Sequence, residues 1–125
     1  MDLDVFSPCA MGAVINPTTI ESLKCSVIAG AANNQLENEE RDSKLLQEKE
    51  IMYVPDYVIN AGGLMNVANE LQGYNKEKAK YQVEGIYYIL TRIFDYAANN
   101  NISTLEAANL LAERRIQDYI KWNHQ

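Results

Sequence analysis

The residues best suited to hold a ligand lie between positions 54 and 67, in the stretch VPDYVINAGGLMNV. Pro55 cannot donate a ladder hydrogen bond, so an apolar strand over residues 51–54 should end there. Gly62 and Gly63 permit backbone angles and close approaches that a side chain forbids. The stretch is therefore predicted to be a glycine turn between a strand and a helix, forming a corner that faces a ligand.

Two earlier stretches predict corners of the same kind. A short strand over residues 3–6 is followed by Ser-Pro and a run of small residues, and a second strand over residues 25–30 is followed by AANNQ. The carboxyl ends of parallel strands lie along one edge of a sheet, and ligands bind at that edge. One cleft wall should therefore be formed by the three strand exits, at residues 8–13, 30–35 and 56–63.

The spacing of the strands predicts the fold class. Helix-length segments separate them, which indicates parallel strands joined by right-handed crossovers in a doubly wound α/β sheet. The first helix has two possible starts: Asn16 as N-cap with Pro17 as first residue, or a capping box over residues 18–21. The polar run from residue 36 leads into a helix over residues 43–50, and its carboxylates are predicted to form a solvated, acidic first turn.

The middle of the chain is predicted to be helical after the third corner. One helix should run over residues 64–71 and break at Gly73, and the next should begin with Asn75 as N-cap. Apolar residues recur in this second helix at spacings of three and four, which predicts one buried face. That face consists of Ala79, Val83, Ile86, Tyr87, Leu90, Ile93, Phe94 and Ala97.

A last helix is predicted after a turn at residues 99–101. The sequence STLE at residues 103–106 is a capping box, which indicates the start of this helix. Its end should fray over residues 122–125. Its predicted buried face consists of Leu105, Ala108, Ala112, Ile116 and Ile120.

The composition excludes several classes of function. The chain has 125 residues, of which 47% are hydrophobic, and this suits one compact domain. Its net charge of −6 and the lack of a large basic cluster argue against nucleic-acid binding. No apolar run is long enough to cross a bilayer, and the first four residues lack the basic region of a signal peptide. We therefore expect a cytoplasmic protein that does not bind membranes.

Groups that could perform chemistry on their own are missing. Cys9 and Cys25 are expected to be reduced and to act as small buried apolar residues. One histidine and two distant cysteines do not make a zinc site, and no nucleophile stands beside a base, so neither catalytic residues nor metal ligands are predicted. The glycines also lack the G-x-G-x-x-G spacing that cradles a dinucleotide phosphate. Three parallel strands with two crossovers leave an apolar edge, as half of a sheet would.

Two motifs resemble a known enzyme family. IAGAANNQL at residues 28–36, followed by YVPDYVINAGG at residues 53–63, closely resembles the dehydrogenases of glutamate, leucine, phenylalanine and valine, and the leucine enzymes most of all. PCAMGA at residues 8–13 is similar to the preceding strand exit of that family. The motifs occur in the family's order and spacing, and the resemblance extends to about residue 116.

The resemblance implies a fold and roles for named residues. It implies the second half of a Rossmann-type, NAD-binding sheet over residues 1–73, followed by C-terminal helices over residues 74–125. The cofactor would be contacted by Cys9, Ala10, Met11, Asn33 and Asn34. The Asn34 amide would also reach the amino end of the substrate, because an amide offers a donor and an acceptor without adding charge.

The resemblance further implies a substrate pocket. Leu64 and Val67 match positions that line the pocket for the substrate side chain, and their spacing at a helix start projects them to one side. Asn60, Gly62 and Gly63 match the turn that closes the site. Glutamate-specific relatives have a polar residue at the position of Val67, so an aliphatic substrate is expected. The alternative is that Leu64 and Val67 are ordinary core residues.

The implied function is that of a C-terminal fragment. Its parent would be an NAD-dependent dehydrogenase that deaminates L-leucine, or a similar branched-chain amino acid, to a 2-oxo acid. The family's catalytic lysines and aspartate and its phosphate turn have no counterpart here, so the 125 residues alone should be inactive. The other interpretation is a non-catalytic half-domain that assembles with another subunit. In either case we expect a homo-oligomer formed through the sheet edge or the C-terminal helices.

Overall fold

The computed structural model describes residues 2–71 and 73–123. Strands alternate with helices in the first half of the chain, and helices alone follow. The elements are β1 (Val5–Phe6), α1 (Pro17–Ser22), β2 (Val27–Ile28), α2 (Glu39–Glu48), β3 (Met52–Tyr53), α3 (Asp56–Ile59), α4 (Gly62–Glu70), α5 (Lys76–Asn100) and α6 (Thr104–Asn123).

The three strands form one parallel sheet in the order β1-β2-β3, which confirms the predicted fold class. They are shorter than the predicted apolar segments, and the first two begin late for a local reason. The Asp4 carbonyl accepts from two successive N–H groups, those of Ser26 at 3.1 Å and Val27 at 3.2 Å, and this interrupts the regular ladder. At the other end the ladder continues beyond β3, because the Val54 N–H donates to the Ile28 carbonyl at 2.9 Å.

The start of α1 settles the alternative that the sequence left open. Asn16 is the N-cap and Pro17 the first helical residue. The Asn16 side chain accepts from the Thr19 N–H at 3.1 Å, and the Thr19 hydroxyl accepts from the Asn16 N–H at 2.9 Å. This reciprocal pair satisfies two N–H groups that a helix start otherwise leaves without partners.

Helix α2 begins at Glu39, four residues earlier than predicted. The Asn38 side chain accepts from the Arg41 N–H at 2.9 Å, so Asn38 is the cap that the sequence interpretation overlooked. Asp42 accepts in turn from the Asn38 N–H at 2.8 Å and from Arg41 Nε at 2.7 Å. Asp42 is fully buried, so the prediction of a solvated acidic turn was wrong at this residue.

The predicted glycine turn at the third corner was wrong. Residues that follow Pro55 form the short helix α3, in which the Ile59 N–H donates to the Pro55 carbonyl at 3.1 Å. Gly62 and Gly63 are the first two residues of α4, and neither has a positive φ. A Cβ added to Gly63 would meet nothing within 4 Å. The local i→i+4 hydrogen bonds of α3, rather than glycine flexibility, therefore turn the chain here.

The core has two parts that meet at α6. The first part lies against the sheet and consists of Ile15, Ile20, Ile28, Leu36, Leu46, Ile51, Tyr53 and Leu105. The second lies between α3, α5 and α6 and consists of Val58, Ile86, Ile93, Ala97, Ala107 and Ala108. The start of α6 therefore packs on the sheet as well as on α5. The domain division at residues 73 and 74 stays a prediction.

The predicted buried faces of α5 and α6 are correct only in part. Val83 and Tyr87 in α5 are exposed, although Val83 faces α4 beside Gly62, which has no side chain to cover it. Ile116 and Ile120 in α6 are also exposed, because the helix extends beyond the elements that cover its first turns. Helix α6 remains regular to Asn123, and the last two residues of the predicted frayed end lie outside the described residues.

None of the helices in the described parts of the chain is long and apolar enough to cross a membrane.

Candidate functional site

The three strand exits lie at one edge of the sheet, as the parallel order requires. Two backbone hydrogen bonds join the first exit to the second. The Ala32 N–H donates to the Pro8 carbonyl at 3.0 Å, and the Ala13 N–H donates to the Asn34 carbonyl at 2.7 Å. The two loops thus share one hydrogen-bonded framework.

Gly30 allows these two loops to approach each other. A Cβ at this position would lie 2.0 Å from the Pro8 carbonyl oxygen and 2.6 Å from its nitrogen, so no side chain fits. Beyond the loops, Ile15 and Leu36 form a parallel bridge. Each loop is therefore held by the hydrogen bonds to its neighbour and, beyond its end, by the bridge between Ile15 and Leu36. The sequence pattern places Gly30 in this corner but does not indicate the close approach to Pro8.

Asn34 has a left-handed backbone at the centre of this framework, with φ of 53°. This conformation is uncommon outside glycine, and asparagine tolerates it better than most residues. Its side chain is exposed and makes no hydrogen bond to any residue in the ranges 2–71 and 73–123. The Asn34 amide is therefore held at the sheet edge by its backbone while its donor and acceptor stay available to a ligand.

Side chains join the third exit to the second. Asn60 Nδ2 donates to Asn33 Oδ1 at 2.5 Å, so two residues predicted for the site are in direct contact. The Asp56 carboxylate accepts from the Gln35 N–H at 3.1 Å. The sequence pattern indicated no role for Asp56 or Gln35.

Gln35 braces the second exit from inside. Its side chain is fully buried, and Nε2 donates to the carbonyls of Gly30 at 2.8 Å and Ala32 at 2.9 Å. These bonds satisfy carbonyl groups that the strand end leaves without ladder partners. The only sequence feature that could have indicated this buried role is the position of Gln35 between a run of small residues and the apolar Leu36.

Cys9 lies at the surface of the first exit, so the prediction of a buried apolar cysteine was wrong for it. Its sulfur is 3.3 Å from the Ser7 hydroxyl oxygen, and hydrogen bonds from Ser7 and from the Ala31 backbone lower the pKa of the thiol. Cys25 is partly buried, and burial raises the pKa of its thiol. Met11, beside Cys9, is 72% exposed.

Leu64 and Val67 are not core residues of this chain. Their side chains are 75% and 54% exposed, on a helix whose other side packs against α5. No hydrogen bond within the described residues links them to the strand exits. Their predicted role in a substrate pocket stays a prediction.

A small cavity of about 240 Å³ opens beside Asn34. Burial, and then the charge of Asp56, raises the pKa of the Tyr53 hydroxyl at its wall. Among the residues that the structure describes, no group of three or more histidine, cysteine or acidic side chains could hold a metal ion. The cavity is lined by Asn34, Leu36, Glu37, Glu39, Tyr53, Asp56 and Leu105.

The exits suit one end of a dinucleotide. Cys9, Ala10, Met11 and Asn34 present small or uncharged groups that are open to solvent at the ligand edge. Such groups can contact a neutral ring and a sugar without the cost of burying a charge. The phosphates need a turn of backbone N–H groups at a helix start, and the sequence has no G-x-G-x-x-G turn. The residues therefore fit the nicotinamide end of a nicotinamide dinucleotide and leave its phosphate end to other residues.

A parallel half-sheet with joined strand exits at its carboxyl edge makes the chain part of a Rossmann-type α/β domain. More particularly, the chain belongs to the Glutamate/Leucine/Phenylalanine/Valine dehydrogenase family, whose model matches residues 1–122. The resemblance carried by the three strand-exit motifs is thereby confirmed.

Individual relatives agree with this assignment. Leucine dehydrogenase of Thermoactinomyces intermedius is 56% identical over 117 residues, which are 94% of this chain and 32% of the relative. L-Tryptophan dehydrogenase of Nostoc punctiforme is 55% identical over 118 residues, which are 94% of this chain and 33% of the relative. The crystal structure of L-tryptophan dehydrogenase from Nostoc punctiforme superposes with a TM-score of 0.92 at 53% identity, covering 97% of this chain and 36% of that one. The chain thus spans about a third of the length of the curated relatives it matches.

Proposed function

We propose that this chain is the C-terminal part of an NAD-dependent dehydrogenase that oxidatively deaminates L-leucine, or a similar branched-chain amino acid, to its 2-oxo acid. One observation carries the proposal: the joined strand exits hold Asn34 in a left-handed conformation with its amide accessible at the ligand edge. Membership of an amino-acid dehydrogenase family supports the reaction class.

In this proposal the chain positions the reactants and does not transfer protons. Cys9, Ala10 and Met11 contact the nicotinamide-ribose side of the cofactor. Asn33 and Asn34 complete the contact, and the Asn34 amide also orients the amino end of the substrate. NAD, when bound, supplies the hydride acceptor for the substrate's α-carbon. The acid–base groups belong to the remainder of the enzyme.

The choice of substrate depends on α4. The leucine and tryptophan dehydrogenases are almost equally similar to this chain, at 56% and 55% identity, so overall identity does not favour either substrate. Leu64 and Val67 expose aliphatic side chains on one side of α4. An aliphatic wall favours an aliphatic substrate over a polar one, because a polar group buried there would lose its hydrogen bonds to water. We propose that Asn60, Gly62 and Gly63 close this site.

A completed enzyme tests the proposal directly. It joins the N-terminal two-thirds of the Thermoactinomyces intermedius leucine dehydrogenase to this chain at the start of the matched segment. We expect NAD-dependent oxidation of L-leucine with a kcat/KM within about tenfold of the relative's own, and weaker use of NADP, L-tryptophan and L-glutamate. The matched control is the relative rejoined to its own segment. A fusion that folds and assembles as the control does, but does not oxidise L-leucine, would contradict the proposal.

Replacing Val67 by serine tests the substrate pocket in this completed enzyme. Val67→Ser places a hydroxyl against the aliphatic substrate and should lower kcat/KM for L-leucine by about tenfold, with a smaller loss for a polar amino acid. The control is Ala98→Ser, which introduces a hydroxyl at an exposed position of α5 instead of α4. Unchanged selectivity between L-leucine and a polar amino acid would remove Val67 from the pocket.

The second candidate function is an assembly module. It is favoured by the outer edge of β1, which pairs with no other strand in the described residues, and by the apolar side chains exposed on α4 and α6. We propose that the protein forms homo-oligomers through this edge or the C-terminal helices, in the cytoplasm. The activity of the completed enzyme, measured together with its mass by light scattering, separates the two interpretations. A catalytically silent complete protein that still assembles would favour the module.

A further inference from the structure

We propose that Asp56 is a positioning residue that fixes the orientation of the peptide between Asn34 and Gln35, and thereby the direction of the Asn34 amide. The proposal rests on the function proposed above and adds a residue to which neither the family resemblance nor the sequence pattern assigns a role. It follows from three contacts at the second and third strand exits.

The first step is that this peptide unit is held at both ends. Its carbonyl, from Asn34, accepts from the Ala13 N–H at 2.7 Å. Its N–H, from Gln35, donates to Asp56 Oδ2 at 3.1 Å. A planar peptide that is bonded at both the oxygen and the nitrogen cannot rotate about its Cα–Cα axis without losing both bonds. The two bonds therefore fix ψ of Asn34.

The second step is that Asp56 is itself fixed. Its other carboxylate oxygen, Oδ1, accepts from the Tyr57 N–H at 2.6 Å. The Tyr57 hydroxyl donates to Asn109 at 2.8 Å, and Val58 packs in the core between α5 and α6. The carboxylate is thus attached to the helical part of the molecule and is not a side chain that adapts to the loop.

The third step is that Asn34 needs such a restraint. A left-handed backbone is strained for a residue other than glycine, so it persists only where surrounding bonds hold it in place. The Gln35 N–H lies in a residue that is fully buried, so losing Asp56 leaves a buried donor without its partner. Removing the carboxylate should therefore release the Asn34 backbone and let its amide point elsewhere.

Kinetics of the completed enzyme test the proposal through a double-mutant cycle. Asp56→Ala should lower kcat/KM for L-leucine by at least about tenfold, as should Asn34→Ala. Because Asp56 acts through Asn34, Asp56→Ala should change kcat/KM by less than about twofold in the Asn34→Ala background. Asp56→Asn retains one oxygen acceptor for the Gln35 N–H, while its NH2 group then faces the exposed Tyr57 N–H, so its loss in kcat/KM should be clearly smaller than that of Asp56→Ala. Additive losses in the double variant would overturn the proposal.

A matched control separates positioning from charge. Glu39 lines the same cavity beside Asn34, and its side chain makes no hydrogen bond within the described residues. Glu39→Ala therefore removes the same charge from the cavity and leaves the peptide bonded at both ends. We expect less than about a twofold change in kcat/KM. A loss as large as that of Asp56→Ala would assign the effect to charge and reject positioning.

Amide exchange of the 125-residue chain provides a readout that does not depend on activity. Exchange of the Gln35 N–H should be at least about tenfold faster in Asp56→Ala than in the unsubstituted chain and in Asp56→Asn, while amides in α5 stay unchanged. Equal Gln35 exchange in all three proteins would overturn the proposal. An inactive completed enzyme whose Gln35 exchange responds as expected would instead reject the proposed function and leave the role of Asp56 in the fold intact.

Discussion

The strand exits and the outer faces of the helices differ in how far this chain stabilises them by itself. At the exits, backbone and side-chain bonds join each loop to its neighbour, as between Ala32 and Pro8 or between Asp56 and Gln35. On α6, by contrast, Ile116 is 60% exposed although it continues the apolar face that begins at buried Leu105. The same helix thus passes from a packed region into an uncovered one.

This difference shows which parts of the structure depend on local sequence. The exits need only neighbouring loops of the same chain to reach their conformation. The exposed faces of α4 and α6 have the composition of buried surfaces but lack anything to pack against within the described residues. A chain that spans about a third of its relatives' length would leave such faces to be covered by the rest of the protein.

The largest loss of stability at the strand exits should come from Gly30→Ala. The added Cβ would lie 2.0 Å from the backbone oxygen of Pro8, so the two loops must separate and the hydrogen bond from Ala32 must break. We expect the free energy of unfolding to fall by more than about 3 kcal/mol, measured by urea denaturation of the chain. Gly85→Ala is the control: it lies within α5 with open space around it and should stabilise the chain by about 0.5–1 kcal/mol. Equal effects of the two substitutions would show that the exits are not close-packed.

The next largest effect should distinguish the buried start of the apolar face of α6 from its exposed end. Leu105→Ala removes a buried side chain from the sheet core and should cost about 3 kcal/mol of unfolding free energy. Ile116→Ala should change the stability of the isolated chain by less than about 0.5 kcal/mol, because its side chain is exposed. In the completed enzyme Ile116→Ala should cost measurably more. The same small value in both proteins would show that no other part of the enzyme covers this face.

The smallest effect concerns the surface of the first exit. The Ser7 hydrogen bond lowers the pKa of the Cys9 thiol, so more thiolate is present at a pH below that pKa than in an ordinary cysteine. Near neutral pH, Ser7→Ala should slow iodoacetamide alkylation of Cys9 by about two- to threefold, and the difference should vanish at a pH well above the thiol pKa. Cys25, whose pKa is raised by burial, serves as the internal control and should react slowly in both proteins. Peptide mass spectrometry measures both rates. An unchanged rate for Cys9 would mean that Ser7 does not stabilise the thiolate.

Sequence patterns predicted those features that depend on local spacing. Parallel strands followed from the lengths of the intervening segments, and the position of the second and third strand exits at one edge, where Asn33 and Asn60 meet, followed from the parallel order. The start of α1 at Asn16 was one of two possibilities, because the competing capping box had equally suitable residues nearby. The structure selects Asn16 through its reciprocal bonds with Thr19.

Features that depend on tertiary contacts were not predictable in the same way. The sequence around Asp42 does not indicate that its carboxylate is buried. Burial is possible because the carboxylate accepts hydrogen bonds from the Asn38 N–H and the Arg41 side chain, and the charge pattern alone does not show these contacts. The role of Gly30 comes from Pro8, a residue of another loop. Periodicity marked Ile116 as buried because it measures the composition of a helix face and not the presence of a partner. The features missed at Asp42 and Gly30 thus depend on contacts with other residues, and the error at Ile116 comes from the absence of a covering contact.

In the function that we propose, this chain positions cofactor and substrate, and the reaction requires the rest of the enzyme. The direct test is NADH-dependent amination of 4-methyl-2-oxopentanoate, the 2-oxo acid of leucine, followed side by side for the isolated chain and the completed enzyme. We expect NADH consumption by the completed enzyme and none above background by the 125 residues alone. Turnover by the isolated chain would contradict this proposal, because the acid–base groups would then lie within these residues.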